Sequence, residues 1–339
     1  MPTADQQLSL LVVAPAWVGD MVMSQVIYTR LKAADPDCQI DLLAPAATLP
    51  LASRMTEIRQ ALLIDQQHGQ LGLGYRYRLG RELRGKGYAR ALVTPNSFKS
   101  ALVPFFADIP QRTGFLGEYR YYLLNDLRLL DKKRLPKMVD RFLALTVKPD
   151  ATVPAPSQPH LSIDVSNQRR LVEKFQLDLA EPVVGLCPGA EYGDAKQWPV
   201  EHFAELAKRL MASGKAVWVF GSAGDADIAA QLTGLTSDGC VNLAGKTSLT
   251  DAVDLLALCE AVVSNDSGLM HVAAAVGARV VALYGSTSPD FTPPGSSDAV
   301  LLSTGIECSP CFKRTCPLGH RNCLRELHPN LAFDALEAG

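Results

Sequence analysis

Short apolar runs alternate along the chain with stretches in which apolar positions return every three or four residues. Leu8 to Ala14, Ile40 to Ala44, Ala61 to Ile64 and Ala89 to Thr94 read as strands. Between the first two, Met23, Ile27 and Leu31 fall at i, i+4 and i+8, one face of a helix. Strand, helix and strand in that order predict a parallel sheet. Residues 148 to 160, KPDATVPAPSQPH, are Pro-rich and aperiodic, which marks a semi-rigid linker. The series then restarts, with Val183 to Cys187, Ala216 to Phe220, Ala261 to Ser264 and Val280 to Tyr284 as strands and helical patterns between them.

This order predicts an α/β protein of two Rossmann-like domains, residues 1–160 and 161–324, whose parallel sheets face a cleft. The tail at about 325–339 is expected to pack back on the first domain. The halves also echo each other. LLVVAPAWVGDM and VVGLCPGAEYGDAKQWP each end a strand in proline and pass through a small loop to Gly-Asp. Strand-to-helix turns commonly use Gly and Asp, so the echo gives only modest support to duplication.

Composition narrows the class. At 339 residues, 47% hydrophobic, 20% charged and with a net charge of -2, the chain is globular, and its charge does not support nucleic-acid binding. Its longest apolar stretches, such as LSLLVVAPAWVG, fall far short of the roughly 20 residues of a membrane span. MPTADQQ has neither a basic n-region nor an apolar h-region, so a cytoplasmic location is expected, with the eight cysteines as thiols.

Four loops carry candidate chemistry. In AWVGDMVMSQ, Asp20 opens a helix directly after the first strand, at the sheet edge where open α/β sheets bind ligands. It either stabilises the helix dipole or accepts a proton from an incoming hydroxyl. In CPGAEYGDAKQWP, Lys196 and exposed backbone N–H groups would suit a phosphate, or the lysine is a solvated loop residue that supports no core. No GxxxxGK[ST] occurs, which argues against an ATPase, and no GxGxxG follows the first strand of either half, which disfavours an oxidoreductase. In VFGSAGDADIAAQL, Asp225 either meets a ribose hydroxyl or caps its helix.

The richest stretch is NDSGLMHVAAAVG. Asp266, Ser267 and Gly268 form a helix start whose N–H groups favour an anion, and His271 lies about one turn on, on the side of Ser267. Finally, CSPCFKRTCPLGHRNC gathers Cys308, Cys311, Cys316 and Cys323 around His320. The C-x2-C half resembles a zinc site while the remaining spacings do not, so a metal and packed thiols both stay open.

APAWVGDMVMSQ, CPGAEYGDAKQWP, FGSAGD, SNDSGLMHVAAAVG and CSPCFKRTCPLGHRNCL resemble, in this order and over nearly the whole chain, the motifs of glycosyltransferase family 9. The resemblance implies a GT-B fold, with the acceptor on the N-terminal domain and an ADP-heptose donor on the C-terminal one. It implies inverting transfer to the lipopolysaccharide inner core. The first and last of these motifs are closest in wording to members that add the second heptose, to heptosyl-Kdo2-lipid A. Members that add the first heptose, other nucleotide-sugar transferases and a non-catalytic nucleotide binder are the alternatives.

By the same resemblance Asp20 is the general base, and Lys196, Asp266, Ser267, Gly268 and His271 contact ADP. Asp225 is carried over less directly, because the family often has a glutamate in its neighbourhood. No metal or other cofactor is required, and no DxD carboxylate pair stands out. An acceptor bearing phosphates and carboxylates would call on the basic stretches 75–90 and 131–137, which read equally as solvated helix faces. Its lipid portion implies transient contact with the inner face of the inner membrane, without a span.

Overall fold

The computed structural model describes residues 8–65, 69–237 and 239–338. The chain divides into two compact units between Pro159 and His160, at the end of the Pro-rich linker.

The first unit holds β1 (Ser9–Val13), β2 (Gln39–Ala44), β3 (Gln60–Leu63), β4 (Arg90–Val93), β5 (Gln111–Phe115) and β6 (Asp126–Arg128). All pair in parallel, in the order β3-β2-β1-β4-β5-β6. The second holds β7 (Val183–Cys187), β8 (Ala216–Val219), β9 (Val241–Asn242), β10 (Ala261–Asn265), β11 (Arg279–Leu283) and β12 (Val300–Leu302). These too are parallel, in the order β12-β11-β10-β7-β8-β9. Counted from its own first strand, each sheet has the doubly wound order 3-2-1-4-5-6. The motif echo therefore coincides with a shared topology. In such a sheet the chain reverses its winding between the first and fourth strands, and the loops leaving them separate to open a crevice. Those switch points lie at β1/β4 and at β7/β10.

β1, β7 and β10 are buried along their whole length, which explains their uninterrupted apolar runs. Of the four strands that the apolar pattern does not predict, β6, β9 and β12 are two- or three-residue strands at sheet edges. β5, Gln-Arg-Thr-Gly-Phe, is held by backbone pairing to β4 and β6. Met23, Ile27 and Leu31 are buried as their spacing predicts, on two successive helices, Val18–Met23 and Gln25–Ala34, that meet at Ser24.

The C-terminal tail corrects an expectation: it belongs to the second unit. Helix Pro329–Glu337 puts Ala332 and Leu336 into the core that Phe203, Leu206 and Leu210 form with Val184, Leu186 and Val219. The Arg279 guanidinium donates to the carbonyls of Ala335 and Leu336, near the end of that helix, at 2.9 and 3.1 Å. An apolar helical face and a cation for its last carbonyls fix the tail here. Among the described residues no helix is long and apolar enough to cross a membrane.

Truncating Leu336 to Ala is expected to lower the stability of the second unit by about 2 kcal/mol, near the lower end for a buried leucine. The urea midpoint of its unfolding reads this loss. A midpoint equal to wild type would mean that the tail is not part of the core.

Candidate functional site

The second switch point is built around Asn265, the last residue of β10, whose side chain is wholly buried. Its amide NH2 donates to the carbonyl of Pro188 at 2.8 Å and more weakly to that of Gly189 at 3.4 Å. Its Oδ1 accepts the backbone N–H of Trp198 at 3.1 Å. One amide thereby closes both ends of the loop that leaves β7. Trp198, also buried, anchors the far end by donating its indole N–H to the carbonyl of Leu327 at 2.7 Å.

Held at both ends, this loop brings Lys196 to the turn after β10. Its ammonium lies 2.7 Å from Asp266 Oδ2 and donates to the Asp266 carbonyl at 3.2 Å. The lysine side chain is 14% exposed and the aspartate 5%. This corrects the reading of Lys196 as a solvated loop residue. Asp266 donates its own N–H to the Leu283 carbonyl at 3.2 Å, and its carboxylate accepts from the lysine and, at 3.4 Å, from the Thr292 hydroxyl.

Helix Gly268–Ala275 follows, with Ser267 as its N-cap residue. The Ser267 side chain makes no capping bond. Its hydroxyl pairs with that of Ser264 at 3.1 Å, so the cap leaves the first-turn N–H groups of the helix to other acceptors. Amides at a helix start beside an ammonium make a cradle for an anion.

His271 lies one turn in and is 4% exposed. Burial pushes its pKa down to about 4; the Asp266 carboxylate opposes that effect and Lys196 adds to it. The imidazole is therefore neutral near pH 7. Asp225 behaves as a cap. Its Oδ2 accepts the Ser222 N–H and hydroxyl, both at 2.8 Å, as the third-residue half of a capping box in the turn Ala223–Asp225 that Ser222 caps. Its carboxylate lies so close over Gly189 that a Cβ there would stand 2.2 Å from Oδ1, which ties Asp225 to the same loop.

Asp20 belongs to the first unit, half-buried in the first turn of helix Val18–Met23, just beyond the end of β1. Of the basic stretches, Arg76 is buried and donates to the Leu71 carbonyl at 2.8 Å, Arg84 pairs with Asp108 at 3.4 Å, and Arg134 donates to the Ala151 carbonyl at 2.8 Å. Of these three only Arg76 is buried; Arg84 and Arg134 are exposed. Arg78, Arg81, Lys132 and Lys133 are exposed.

The four clustered cysteines are free thiols that line one cavity of about 50 Å³, together with His320 and Ser286. Burial, then the neighbouring thiols, push the Cys323 pKa up. Among the described residues no three His, Cys, Asp or Glu side chains group as a metal ion would need. After β11, the buried hydroxyls of Ser286 and Thr287 have no hydrogen-bond partner.

Sequence reasoning passed over Asn265, Tyr192 and Arg314. Asn265 had a signal: a polar amide closing a buried apolar strand has to be satisfied from another loop. The other two meet only through tertiary structure. Lys196 Nζ lies 5.0 Å from the Tyr192 ring centroid and Arg314 Cζ 5.2 Å from it.

Two Rossmann-like units, one with an anion cradle at its switch point, define the two-domain α/β class to which GT-B nucleotide-sugar transferases belong. The family model for glycosyltransferase family 9 (heptosyltransferase) matches residues 76–321, and the chain belongs to that family. It is 46% identical to lipopolysaccharide heptosyltransferase 2 of Salmonella typhimurium over 98% of each chain. The corresponding protein of Escherichia coli K12 gives the same identity and coverage. The solved structure of the E. coli ADP-heptose lipopolysaccharide heptosyltransferase II aligns with a TM-score of 0.87 at 44% identity, covering 98% of both chains.

Two predictions follow from the burial of these groups. Lys196→Ala leaves Asp266 without its cation and is expected to cost about 1–3 kcal/mol, read as a lower urea midpoint. Wild-type stability would restore the solvated reading. His271 titrates near 6.5 when unfolded and near 4 when folded, so the unfolded chain binds more protons between those values. Its contribution is complete above about pH 6.5 and is lost as pH falls towards 4, about 2 kcal/mol of it by pH 5. His271→Gln should flatten that part of the stability profile. A profile as steep as wild type would place the titration elsewhere.

Proposed function

We propose that the chain transfers L-glycero-D-manno-heptose from ADP-heptose to the first heptose of the lipopolysaccharide inner core, heptosyl-Kdo2-lipid A, with inversion. The observation that carries this reading is near-half identity, over almost the full length, to relatives named for the second heptosyltransferase. The second unit takes the donor and the first the acceptor. An acceptor hydroxyl oxygen bonds to the anomeric carbon as the bond from that carbon to the diphosphate oxygen breaks. Asp20 accepts the hydroxyl proton, and ADP leaves with the bonding pair.

The charge that develops on the leaving diphosphate meets the Lys196 ammonium and the N–H groups at the start of helix Gly268–Ala275. Ser267 and Gly268 line that start, Asp266 aims the lysine, and His271 supplies a neutral N–H. In this reading protein groups balance the leaving charge without a divalent cation. Asp225 orders the β7 loop from which Lys196 comes, through its contact with Gly189. Contact with the inner face of the inner membrane is in keeping with exposed Trp17, Tyr119 and Tyr122 in the loops that leave β1 and β5.

The test is incubation with ADP-heptose and, separately, heptosyl-Kdo2-lipid A or Kdo2-lipid A, in excess chelator, following ADP release and acceptor mass. One added heptose on the heptosylated acceptor alone is expected. Transfer only to Kdo2-lipid A would move the reading to the first transferase, and no transfer with ADP bound would favour a binding protein. Asp20→Asn should reduce the rate at least about a hundredfold with donor affinity kept. Near wild-type turnover would remove Asp20 from the role of base.

A further inference from the structure

The cysteine-bearing segment 306–323 is stitched to the loop that carries Lys196. The Ala195 N–H donates to the Arg314 carbonyl at 3.1 Å, and the Tyr192 hydroxyl donates to the Phe312 carbonyl at 3.0 Å. Gly193 sits so close to Arg314 that a Cβ on it would stand 2.3 Å from the Arg314 carbonyl oxygen. From the other side, the Phe312 N–H donates to the Ser286 carbonyl at 2.6 Å, just past β11. Backbone contacts from two directions thus fix where Arg314 stands.

Its guanidinium faces the ring that Lys196 also faces. The two cations lie 5.2 and 5.0 Å from the centroid of Tyr192, so no more than about 10 Å separates them, within a Debye length of about 10 Å at 0.1 M salt. Lys196 has the Asp266 carboxylate as its counter-ion. Among the described residues Arg314 has no carboxylate within ion-pair distance. One aromatic ring offsets little of the repulsion between two like charges. An anion beside both relieves it, and arginine is the residue whose planar fork suits phosphate oxygens.

We propose that Arg314 is a second phosphate-binding cation of the donor site, delivered by the cysteine-bearing segment to the diphosphate that Lys196 holds. This inference rests on the donor reading of the second unit and assigns to its leaving group a residue outside the Lys196 and Asp266–His271 motifs. It also gives segment 306–323 a task, since that segment sets the position of Arg314 relative to the lysine loop. The charge counts most as the bond to the anomeric carbon breaks and negative charge gathers on the diphosphate.

The test is calorimetric titration of the full-length protein with ADP and with adenosine, for wild type, Arg314→Ala, Arg314→Lys and Lys196→Ala. Arg314 is exposed, so the expected loss for Arg314→Ala is at the low end for a charged contact, about tenfold in ADP affinity. Adenosine affinity should be unchanged, and Arg314→Lys should recover most of the loss. An equal loss for ADP and adenosine would reduce Arg314 to a structural role and overturn the proposal. Wild-type ADP affinity in Arg314→Ala, with a loss in Lys196→Ala, would overturn the role of Arg314 and leave the donor reading standing. No loss in either alanine variant would remove both.

Discussion

The second unit depends on one buried amide. Asn265 ends the strand beside the switch point, and its side chain satisfies groups at both ends of the loop from β7. Without it the Trp198 N–H and the Pro188 carbonyl would be left unpaired out of reach of water, each at a cost of about 1–3 kcal/mol. The loop has therefore one conformation to adopt. In that conformation Lys196 reaches Asp266, and the helix that starts after Ser267 opens beside it. The lysine is thus held in place beside the helix start.

This arrangement divides the labour among the polar residues of the turn. A lone aspartate at a helix start would repel an anion, and here Asp266 is turned to the lysine, 2.7 Å from its ammonium. His271, buried beside them, is left uncharged near pH 7 by its lowered pKa. Positive charge at this turn therefore rests on the helix amides and on nearby cations such as Arg314, which among the described residues has no carboxylate within ion-pair distance. Asp20 follows β1, the first strand of its sheet, and the helix start at Gly268 follows β10, the fourth strand of the other, so a carboxylate and a set of helix amides stand on different strands of the two switch points in sheets of one strand order.

Much of the fold was legible because the central strands are buried on both faces and read as apolar runs. β1, β2, β4, β7, β8, β10 and β11 are where those runs lie, within a residue or so at their ends, and the more exposed edge strand β3 was legible from a short apolar run of its own. Short edge strands were not legible, since two or three residues with one open edge need no apolar pattern. The tail was misplaced because an amphipathic helix declares that it has a partner and not which one; Arg279 and the Phe203 face decided that in three dimensions. At the site, the Asp-Ser-Gly helix start was visible as a run of small polar residues after a strand. The Lys196–Asp266 pair and the Tyr192–Arg314 contact were not, because each joins residues 70 or more positions apart.

The measurement that tests the central claim most directly is amide hydrogen exchange of the whole protein with and without saturating ADP. The account predicts protection concentrated at residues 188–198, 265–272 and 312–314, with the first unit unchanged. Protection confined to the first unit, or absent from those three segments while ADP is bound, would contradict it.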